Sequence, residues 1–580
     1  IPGSASPLFF TAAADAAAAG PIKSVRFNSA DSAYLNRTPS STGNRKTWTW
    51  AGWVKRSESA NQALFSCHSV SSDVGFAEID FLGDTLRVSG WTVIWRNTAQ
   101  VFRDFSAWYH IVVAFDTTQA TAADRIKIYV NGTQITDFTT SNDPTLNGDY
   151  GINQAAEHNI GRYNIFGAGH DYLSASLADV YFIDGSQLDC TSFGAFDDNG
   201  VWQAAAYSGS FGTNGFHLFD FANESGIGND SSGNDNDFTV NNISSTAGAG
   251  NDVLFDVPVD GNSSDDTGAG GEVSGNYCTL NPLLNPSSST LSDGNLKITT
   301  SSSGYGKVNG TIGVSSGKFY WEVYIDSKPR DVIVGIETPE VSSINTYTGN
   351  SAGSIGWYHG GFIYENGGFT SYNGGATYGA GDYIGVALDM DAGTLVFYKN
   401  GVSQGTAKTG LSGTFLPSVC DGSSVAGGNV YILNFGQRVF EDAAPSNFKC
   451  LNTASLPTPT IADGSDYFDT KLWTGNGSTQ TISGLKFSPD LVWIKSRSGA
   501  FAHLLFDQIR GTTKYLSSNT TGAEGTDSNS LTAFTSDGFS VGTTNAVNQS
   551  GGSLVAWAWD AGSSTASNTD GSITSQVRVN

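Results

Sequence analysis

Two carboxylates spaced two residues apart are the strongest candidates for acid–base chemistry in this sequence. Glu78 and Asp80 belong to residues 76–82, FAEIDFL, whose alternating pattern predicts a β-strand. Side chains at i and i+2 share one strand face, so the pair could act in glycoside hydrolysis, which in its retaining form needs two carboxyl groups about 5–5.5 Å apart. The next positions hold Leu82 and Gly83, which leaves no further carboxylate there. We therefore expect both carboxylates on the solvated face, with the intervening apolar residues in the core.

A second group of candidates combines aromatic rings with glycine and polar side chains. Residues 357–364, WYHGGFIY, are followed by residues 369–374, FTSYNG. Aromatic faces beside hydrogen-bonding amides suit sugar or peptide ligands. We select six candidate ligand-binding residues: Trp357, Tyr358, His359, Tyr364, Tyr372 and Asn373. The alternative is that these rings fill a sandwich interior, as alternate strand residues do.

Residues that commonly bind metals are spread thinly along the chain. The seven histidines show neither HxxxH nor HxH spacing, and no CxxC pair occurs among the five cysteines, Cys67, Cys190, Cys278, Cys420 and Cys450. This pattern indicates neither a zinc site nor a disulfide framework, and we expect most cysteines to be small buried hydrophobic residues. Residues 229–237 alternate carboxylates with amides and could bind calcium, but the EF-hand spacing fails and a solvated turn is the alternative. We predict no catalytic residues, no metal ligands and no cofactor, with calcium as the one alternative.

Composition places these candidates in an all-β protein of several domains. The chain has 580 residues, too many for one hydrophobic core, which corresponds to about three or four domains. Glycine is abundant, and apart from the alanine-rich start we find no sustained helical periodicity. The net charge of −25 disfavours nucleic acid as a partner, because phosphate binding needs a basic surface. No run of 18 apolar residues exists, so we predict no membrane insertion.

Alternating segments in residues 23–190 must position Glu78 and Asp80. The main segments are residues 48–54, 76–82, 108–116, 126–132 and 174–184. Their order resembles the laminin-G-like, or concanavalin A-type, jelly roll. The resemblance implies a β-sandwich that binds glycans, proteins or calcium from variable rim loops. It also suggests laminarinase-like glycosidases, which place three carboxylates on one strand; Glu78 and Asp80 match two of them, and the acid/base position is missing.

Residues 381–405, GDYIGVALDMDAGTLVFYKNGVSQG, predict two strands joined by tight turns. Ile384, Val386 and Leu388 alternate with small or polar residues, and Asn400-Gly401 tolerates the positive φ of a hairpin turn. Together with residues 317–323 (GKFYWEV), 416–419 (LPSV) and 434–436 (NFG), this stretch resembles a SPRY domain over residues 275–448. The resemblance implies a binding β-sandwich, not an enzyme. It also implies that residues 357–373 lie near its ligand-binding variable loops.

Composition shifts mark the remaining boundaries. Residues 191–270 predict a loose extension that ends in a Gly/Ser/Asp-rich linker, and residues 449–462 predict another linker. A smaller β domain is expected over residues 463–562. The sequence DGS recurs about 107 residues after Asp463, so residues 563–580 are expected to begin a further β repeat, with a natural chain that continues past Asn580.

Three short sequence segments resemble segments of the virion fibre proteins of marine, cyanophage-like tailed phages. They are the start IPGSASPLFF, residues 29–38 (SADSAYLNRT) and residues 228–234 (GNDSSGN). The resemblance implies a structural protein of the virion, in a tail or head fibre, that forms a homotrimer. It implies that residues 1–22 are an arm that docks to other virion proteins, and that the β modules recognise a host-surface glycan or protein.

Tandem β-sandwiches with a recognition role are therefore the expected architecture: a concanavalin A-like jelly roll, a SPRY-like sandwich and a smaller β domain. Two other classes of protein stay open. One is a polysaccharide-degrading glycoside hydrolase on the concanavalin A-like fold, which would need two close carboxylates in a groove. The other is a secreted bacterial adhesin.

Overall fold

The chain is built almost entirely of β-strands. The computed structural model describes residues 20–165, 167–197, 199–220, 226–301, 304–327, 331–340, 345–424, 428–459, 461–562, 565–568 and 575–578. Among them are short 3-10 helices and one four-residue α-helix, Asn545–Asn548, and none of these described helices is long and apolar enough to cross a membrane. The predicted all-β class is confirmed. The predicted docking arm lies outside the described residues except for its last three.

Two compact units make up the chain, with the boundary between Thr458 and Pro459. The first unit holds two β-sandwiches. One sheet of the first sandwich has the order Thr133–Gln134, Ile126–Val130, Tyr109–Asp116, Thr47–Arg56, Ala175–Asp184, Ser24–Phe27 and Val253–Leu254, with Phe216–Leu218 also paired to Ala175–Asp184. The facing sheet has the order Phe138–Ser141, Ile94–Val101, Thr85–Ser89, Phe76–Leu82, Gln62–His68, His158–Ile160, Tyr34–Arg37 and Thr239–Asn241. Two hairpins join Tyr163–Ile165 to Ala168–His170 and Gly194–Phe196 to Trp202–Ala204.

The second sandwich contains the hairpin that the sequence predicts. Its larger sheet has the order Ser289–Ser292, Lys297–Thr300, Val430–Asn434, Lys318–Ser327, Tyr383–Asp389, Thr394–Lys399 and Val402–Thr409, with Lys449–Cys450 beside Lys318–Ser327. The other sheet has the order Val308–Asn309, Leu416–Asp421, Val332–Glu337, Ser354–Tyr358, Phe362–Glu365 and Gly368–Ser371. Asn400 and Gly401 have φ of 47° and 73°, the left-handed values that the tight turn requires.

The segment predicted as a loose extension and linker is folded against both sandwiches. Its strands Phe216–Leu218, Thr239–Asn241 and Val253–Leu254 complete the sheets of the first sandwich. Further along, the N–H of Gly271 donates to the carbonyl of Gly436 at 2.8 Å. The N–H of Cys450 donates to Asp266 Oδ2 at 2.7 Å. Glycine and serine at residues 260–271 therefore serve tight turns in an ordered connection.

A buried ion pair lies at the junction of the two sandwiches. Lys55, in the first sandwich, donates from Nζ to Asp256 Oδ2 at 2.8 Å and to Asn276 Oδ1 at 2.7 Å. The side chains of Lys55 and Asp256 are only 4% and 6% exposed. Trp108 Nε1 donates to Asp256 Oδ1 at 3.2 Å. The connecting segment is therefore fixed by charge as well as by backbone pairing.

The second unit has a six-stranded sheet packed on a three-stranded one. The larger sheet has the order Phe468–Thr474, Ser553–Trp559, Leu491–Ser496, Leu504–Asp507, Lys514–Ser517 and Gly525–Thr526. The smaller has the order Gln480–Ser483, Gly538–Val541 and Leu531–Thr535. The pair Thr565–Asn568 and Ser575–Arg578 follows within the stretch predicted to begin a further repeat.

Candidate functional site

Glu78 and Asp80 occupy the strand face that points away from the core, but that face is buried. The intervening Ile79 and Phe81 belong to the core, as predicted. Glu78 and Asp80 are nevertheless only 4% and 1% exposed. The prediction of a solvated face is therefore wrong, because Arg87 of the next strand, together with Trp91, Tyr163 and Asp171, covers this side of the sheet.

Arg87 contacts both carboxylates from the neighbouring strand. In the pairing of Phe76–Leu82 with Thr85–Ser89, Asp80 lies opposite Arg87 and Glu78 lies opposite Ser89. Arg87 Nη2 donates to Asp80 Oδ2 at 2.6 Å and to Glu78 Oε1 at 2.9 Å. Ser89 Oγ donates to Glu78 Oε1 at 3.0 Å. One guanidinium therefore holds both carboxylates.

Burial is the largest influence on the pKa values of Glu78 and Asp80. It raises the pKa of Glu78, and the charge of Asp80 adds to the rise while Arg87 opposes it. Burial also raises the pKa of Asp80, against the hydrogen bonds and charge of Arg87. Glu78 therefore holds its proton more readily than a surface glutamate does.

An open cavity of about 300 Å³ lies beside the cluster. Its apolar walls include Phe76, Trp91 and Tyr163, and its polar walls include Glu78, Arg87 and Asp171. Trp91 is 39% exposed and meets Phe76 edge to face, with ring centroids 5.7 Å apart. Aromatic rings and hydrogen-bonding side chains therefore line one groove.

One oxygen in this groove lacks a partner. Glu78 Oε2 is buried and has no hydrogen-bond partner among the described residues. A buried polar atom left unpaired costs about 1–3 kcal/mol, and a ligand hydroxyl donating to it would remove that cost. The groove is thus suited to a ligand with several hydroxyl groups and an apolar ring face. Both carboxylates of the pair accept from Arg87 Nη2.

Two of the six aromatic-segment candidates lie in the core of the second sandwich. Trp357 is fully buried and Tyr372 is 5% exposed. The Trp357 ring contacts the rings of Tyr378 and Phe397, and Tyr372 donates from its hydroxyl to the carbonyl of Gly405 at 2.6 Å. Selecting these two as ligand contacts is corrected: Trp357 points inward from the strand Ser354–Tyr358, and Tyr372, just after Gly368–Ser371, packs its ring against Trp357 and Phe397, where a surface ligand does not reach.

The other four candidates lie at or near the surface. Tyr358 and Tyr364 are half-buried with ring centroids 5.3 Å apart, and Tyr364 is 5.7 Å from Phe369, which is 64% exposed. His359, half-buried, packs its ring 4.4 Å from that of Tyr358. Asn373 is exposed and donates to Gln404 Oε1 at 2.8 Å. Their role in binding stays a prediction.

Titratable residues elsewhere serve the packing of the first sandwich. His110 is buried, its Nδ1 accepts from Trp202 Nε1 at 3.1 Å, and burial lowers its pKa to about 3.

All five cysteines are free and buried, as predicted. In the part of the chain that the structure describes, no group of three or more His, Cys, Asp and Glu side chains could hold a metal ion. At the suggested calcium segment, Asp230 accepts backbone N–H groups from Ser232 and Asn236, each at 2.9 Å.

A histidine cluster in the first sandwich has the residue types of a nucleophilic triad. His217 Nε2 lies 2.6 Å from Asp179 Oδ1, and Ser231 Oγ lies 2.8 Å from His217 Nδ1. Tyr181 stacks on the imidazole with centroids 4.0 Å apart, and Asp179 sits at a β-bulge with φ of 53°. None of these residues lines the cavity beside Glu78. The hydrogen bonds of the cluster instead hold the β-bulge at Asp179 in place.

The sequence reasoning missed most residues of the groove. Arg87 could have been found, because the Gly83-Asp84 turn sets the pairing that places it opposite Asp80. Trp91, Tyr163 and Asp171 come from separate parts of the chain, and no local pattern joins them.

Protein-family models match three regions of the chain. Residues 28–187 match the concanavalin A-like lectin/glucanases superfamily, and residues 318–438 match the SPRY domain. Residues 463–580 match a domain of unknown function, DUF7483, as one continuous match. The comparison with curated proteins gives no match.

Similar solved structures include several SPRY domains. The SPRY domain of human HERC1 is 25% identical over 27% of this chain and 96% of its own, with a TM-score of 0.24. The stonustoxin structure is 23% identical over 27% of each chain, with a TM-score of 0.22. The TRIM65 PSpry domain is 19% identical over 27% of this chain and 92% of its own, with a TM-score of 0.22.

The family matches fall on the two sandwiches of the first unit. The concanavalin A-like match covers the strands around the groove, and the SPRY match covers the predicted hairpin. Both families have β-sandwich folds, which agrees with the sheets described above. The chain therefore carries a concanavalin A-like domain and a SPRY domain, a combination that fits a β-sandwich binding module.

Proposed function

We propose that this protein is a structural fibre protein of a virion, in a tail or head fibre, that recognises a host-surface glycan. The proposed contact site is the groove beside Trp91 in the concanavalin A-like domain. The virion setting and an assembly of three copies are supported by the sequence resemblance alone. The observation that carries glycan recognition is the groove, where exposed aromatic surface adjoins Glu78 with its unpaired buried oxygen.

A sugar fits this groove for chemical reasons. The C–H face of a pyranose packs on an aromatic ring, and its hydroxyls donate to carboxylates and accept from a guanidinium. Trp91 supplies exposed ring surface, while Glu78 and Arg87 supply the polar groups. A peptide strand would find no free strand edge to pair with in this groove, since Thr85–Ser89 and Phe76–Leu82 are already paired on both sides.

Replacing Trp91 with alanine is expected to weaken glycan binding at least tenfold, about 1.4 kcal/mol, because the exposed ring face is lost. A glycan array on the whole chain identifies the ligand, and titration calorimetry measures the change. Phe196→Ala is the matched control, since Phe196 is an exposed aromatic residue (53%) outside the cavity lining. If the Trp91 variant and the wild type bind the glycan with equal affinity, the groove is not the glycan-binding site.

We propose further that the groove binds without cleaving. Arg87 would have to leave both carboxylates before they could flank a glycosidic bond, and Asp80 is almost completely buried. Incubation of the bound glycan with the protein is expected to release no new reducing ends. Release that disappears in Glu78→Gln would support the glycoside hydrolase instead.

The virion assignment has its own test. Mass spectrometry of purified phage particles is expected to detect peptides of this chain, and antibody labelling is expected to decorate fibres. Recovery from the surface fraction of a bacterium free of phage would favour the secreted adhesin.

A further inference from the structure

The groove beside Trp91 carries more negative than positive charge. Among the described residues that line it, Glu78 and Asp171 are acidic and Arg87 is the one cation. Asp80, which is buried, pairs with the same guanidinium. Whether or not Glu78 holds its proton, the carboxylates of Asp80 and Asp171 therefore outnumber the positive charge.

The guanidinium of Arg87 is already engaged within the protein. Its Nε donates to Asp80 Oδ1 at 2.9 Å and its Nη2 donates to Asp80 Oδ2 at 2.6 Å. Asp80 thus occupies the Nε–Nη2 edge, which is one that binds carboxylates in bidentate fashion. Nη2 also donates to Glu78 Oε1. The positive charge is therefore balanced before any ligand arrives.

Asp171 adds a carboxylate on the side of the groove that Arg87 does not reach through hydrogen bonds. It is half-buried, and its carbonyl accepts from the N–H of Ala63 at 2.9 Å, which fixes it to the strand Gln62–His68. Burial is the main cause of the raised pKa values of Glu78 and Asp80, and the charge of Asp171 adds to both. A carboxylate or sulfate on a ligand would therefore meet like charge in a cavity where water screens it less than in bulk.

We propose that this groove selects neutral sugars and excludes uronic acids, sialic acids and sulfated sugars. The inference rests on the proposed function and names the ligand class of the same site. A neutral hexose keeps every contact, since its hydroxyls donate to Glu78 and Asp171 and its ring face packs on Trp91. An amino sugar would place its ammonium group beside Arg87. The net charge of −25 acts in the same direction at longer range, because it repels polyanions.

A glycan array that holds the same hexose chains in neutral, uronate and sulfated forms, probed with the whole chain, tests the inference. Each neutral form that binds is expected to bind at least about tenfold more tightly than its acidic partners, because the acidic group is repelled by Asp171. Raising sodium chloride from about 20 to about 500 mM is expected to narrow this difference at least about twofold, since salt screens the repulsion.

Asp171→Asn is expected to raise the ratio of acidic to neutral affinity at least about threefold. Asparagine tolerates the left-handed backbone of residue 171, where φ is 48°, so the fold should be retained, and circular dichroism melting checks this. Asp235→Asn is the matched control, since Asp235 is an exposed aspartate with φ of 56° outside the cavity lining. Its ratio is expected to equal that of the wild type.

Three results would overturn the inference while leaving glycan recognition in place. They are binding confined to acidic glycans or to amino sugars, an acidic form that binds as tightly as its neutral partner, and an unchanged ratio in a folded Asp171→Asn variant. If that variant does not fold, the salt series on the wild type decides in its place. An array without any binding would contradict the proposed function itself, and the inference with it.

Discussion

Replacing Lys55 with methionine is expected to destabilise the first unit by about 3–5 kcal/mol. The substitution removes the cation but leaves the Asp256 carboxylate buried beside Trp108. It also removes donors to Asn276 Oδ1 and the Tyr277 carbonyl at 2.7 and 3.1 Å. Differential scanning calorimetry should show the transition of the first unit at a lower temperature, with that of the second unit unchanged.

Lys127→Met is the control for this substitution, because Lys127 is a partly exposed lysine of the same sandwich that pairs with exposed Asp124. Its effect should stay below about 1 kcal/mol. The double variant Lys55→Met/Asp256→Leu should cost less than the sum of the two single variants, since no unpaired charge stays buried. Additive effects would mean that the ion pair does not join the sandwiches.

Glu322 and Asp421 are expected to contribute less stability to the first unit as pH rises from about 4 to about 8, whereas the buried neutral His110 and His158 give the opposite trend below about pH 6.5. Burial raises the pKa of Glu322 to about 7 and that of Asp421 to about 6. At these two carboxyls the folded state therefore keeps protons that the unfolded chain has already released, so their contribution to stability is full below the ordinary carboxyl values near 4. The contribution is lost as pH rises through about 6 for Asp421 and about 7 for Glu322, and the loss is complete by about pH 8. One pKa unit corresponds to about 1.4 kcal/mol, so the two groups together contribute several kcal/mol.

Melting temperatures recorded between about pH 5 and pH 8 measure this effect. Asp421→Asn keeps an acceptor for Asn429 and Tyr431 but cannot ionise, so its pH dependence should be shallower. Asp382→Asn is the control: burial raises its pKa, but hydrogen bonds led by Asn400 outweigh this and hold the pKa of Asp382 below its ordinary value. That group is ionised in both states across the range. An Asp421→Asn variant whose melting temperature follows pH in the same way as that of the wild type would contradict the prediction.

The fold class and most strands could be predicted because they depend on local pattern. Strand alternation in residues 381–405 and the Asn400-Gly401 turn define a hairpin whose core residues are those expected. The family matches cover two of the three resemblances that the sequence suggested, the concanavalin A-like and SPRY domains, and leave the virion fibre resemblance a prediction. Residues 260–271 form an ordered connection where composition predicts a linker, because turn-forming composition is shared by flexible linkers and by ordered connections.

An acidic, all-β chain with two binding-type sandwiches follows from composition and strand pattern, and alternation correctly places Glu78 and Asp80 on the opposite strand face from Ile79 and Phe81. Alternation defines which face a side chain occupies, but not what covers that face. Only the tertiary structure brought Trp91, Tyr163 and Asp171 over the carboxylates, and only it sent Trp357 and Tyr372 into the core. The reason is that burial of a strand's second face depends on residues far away in sequence, which no local period encodes.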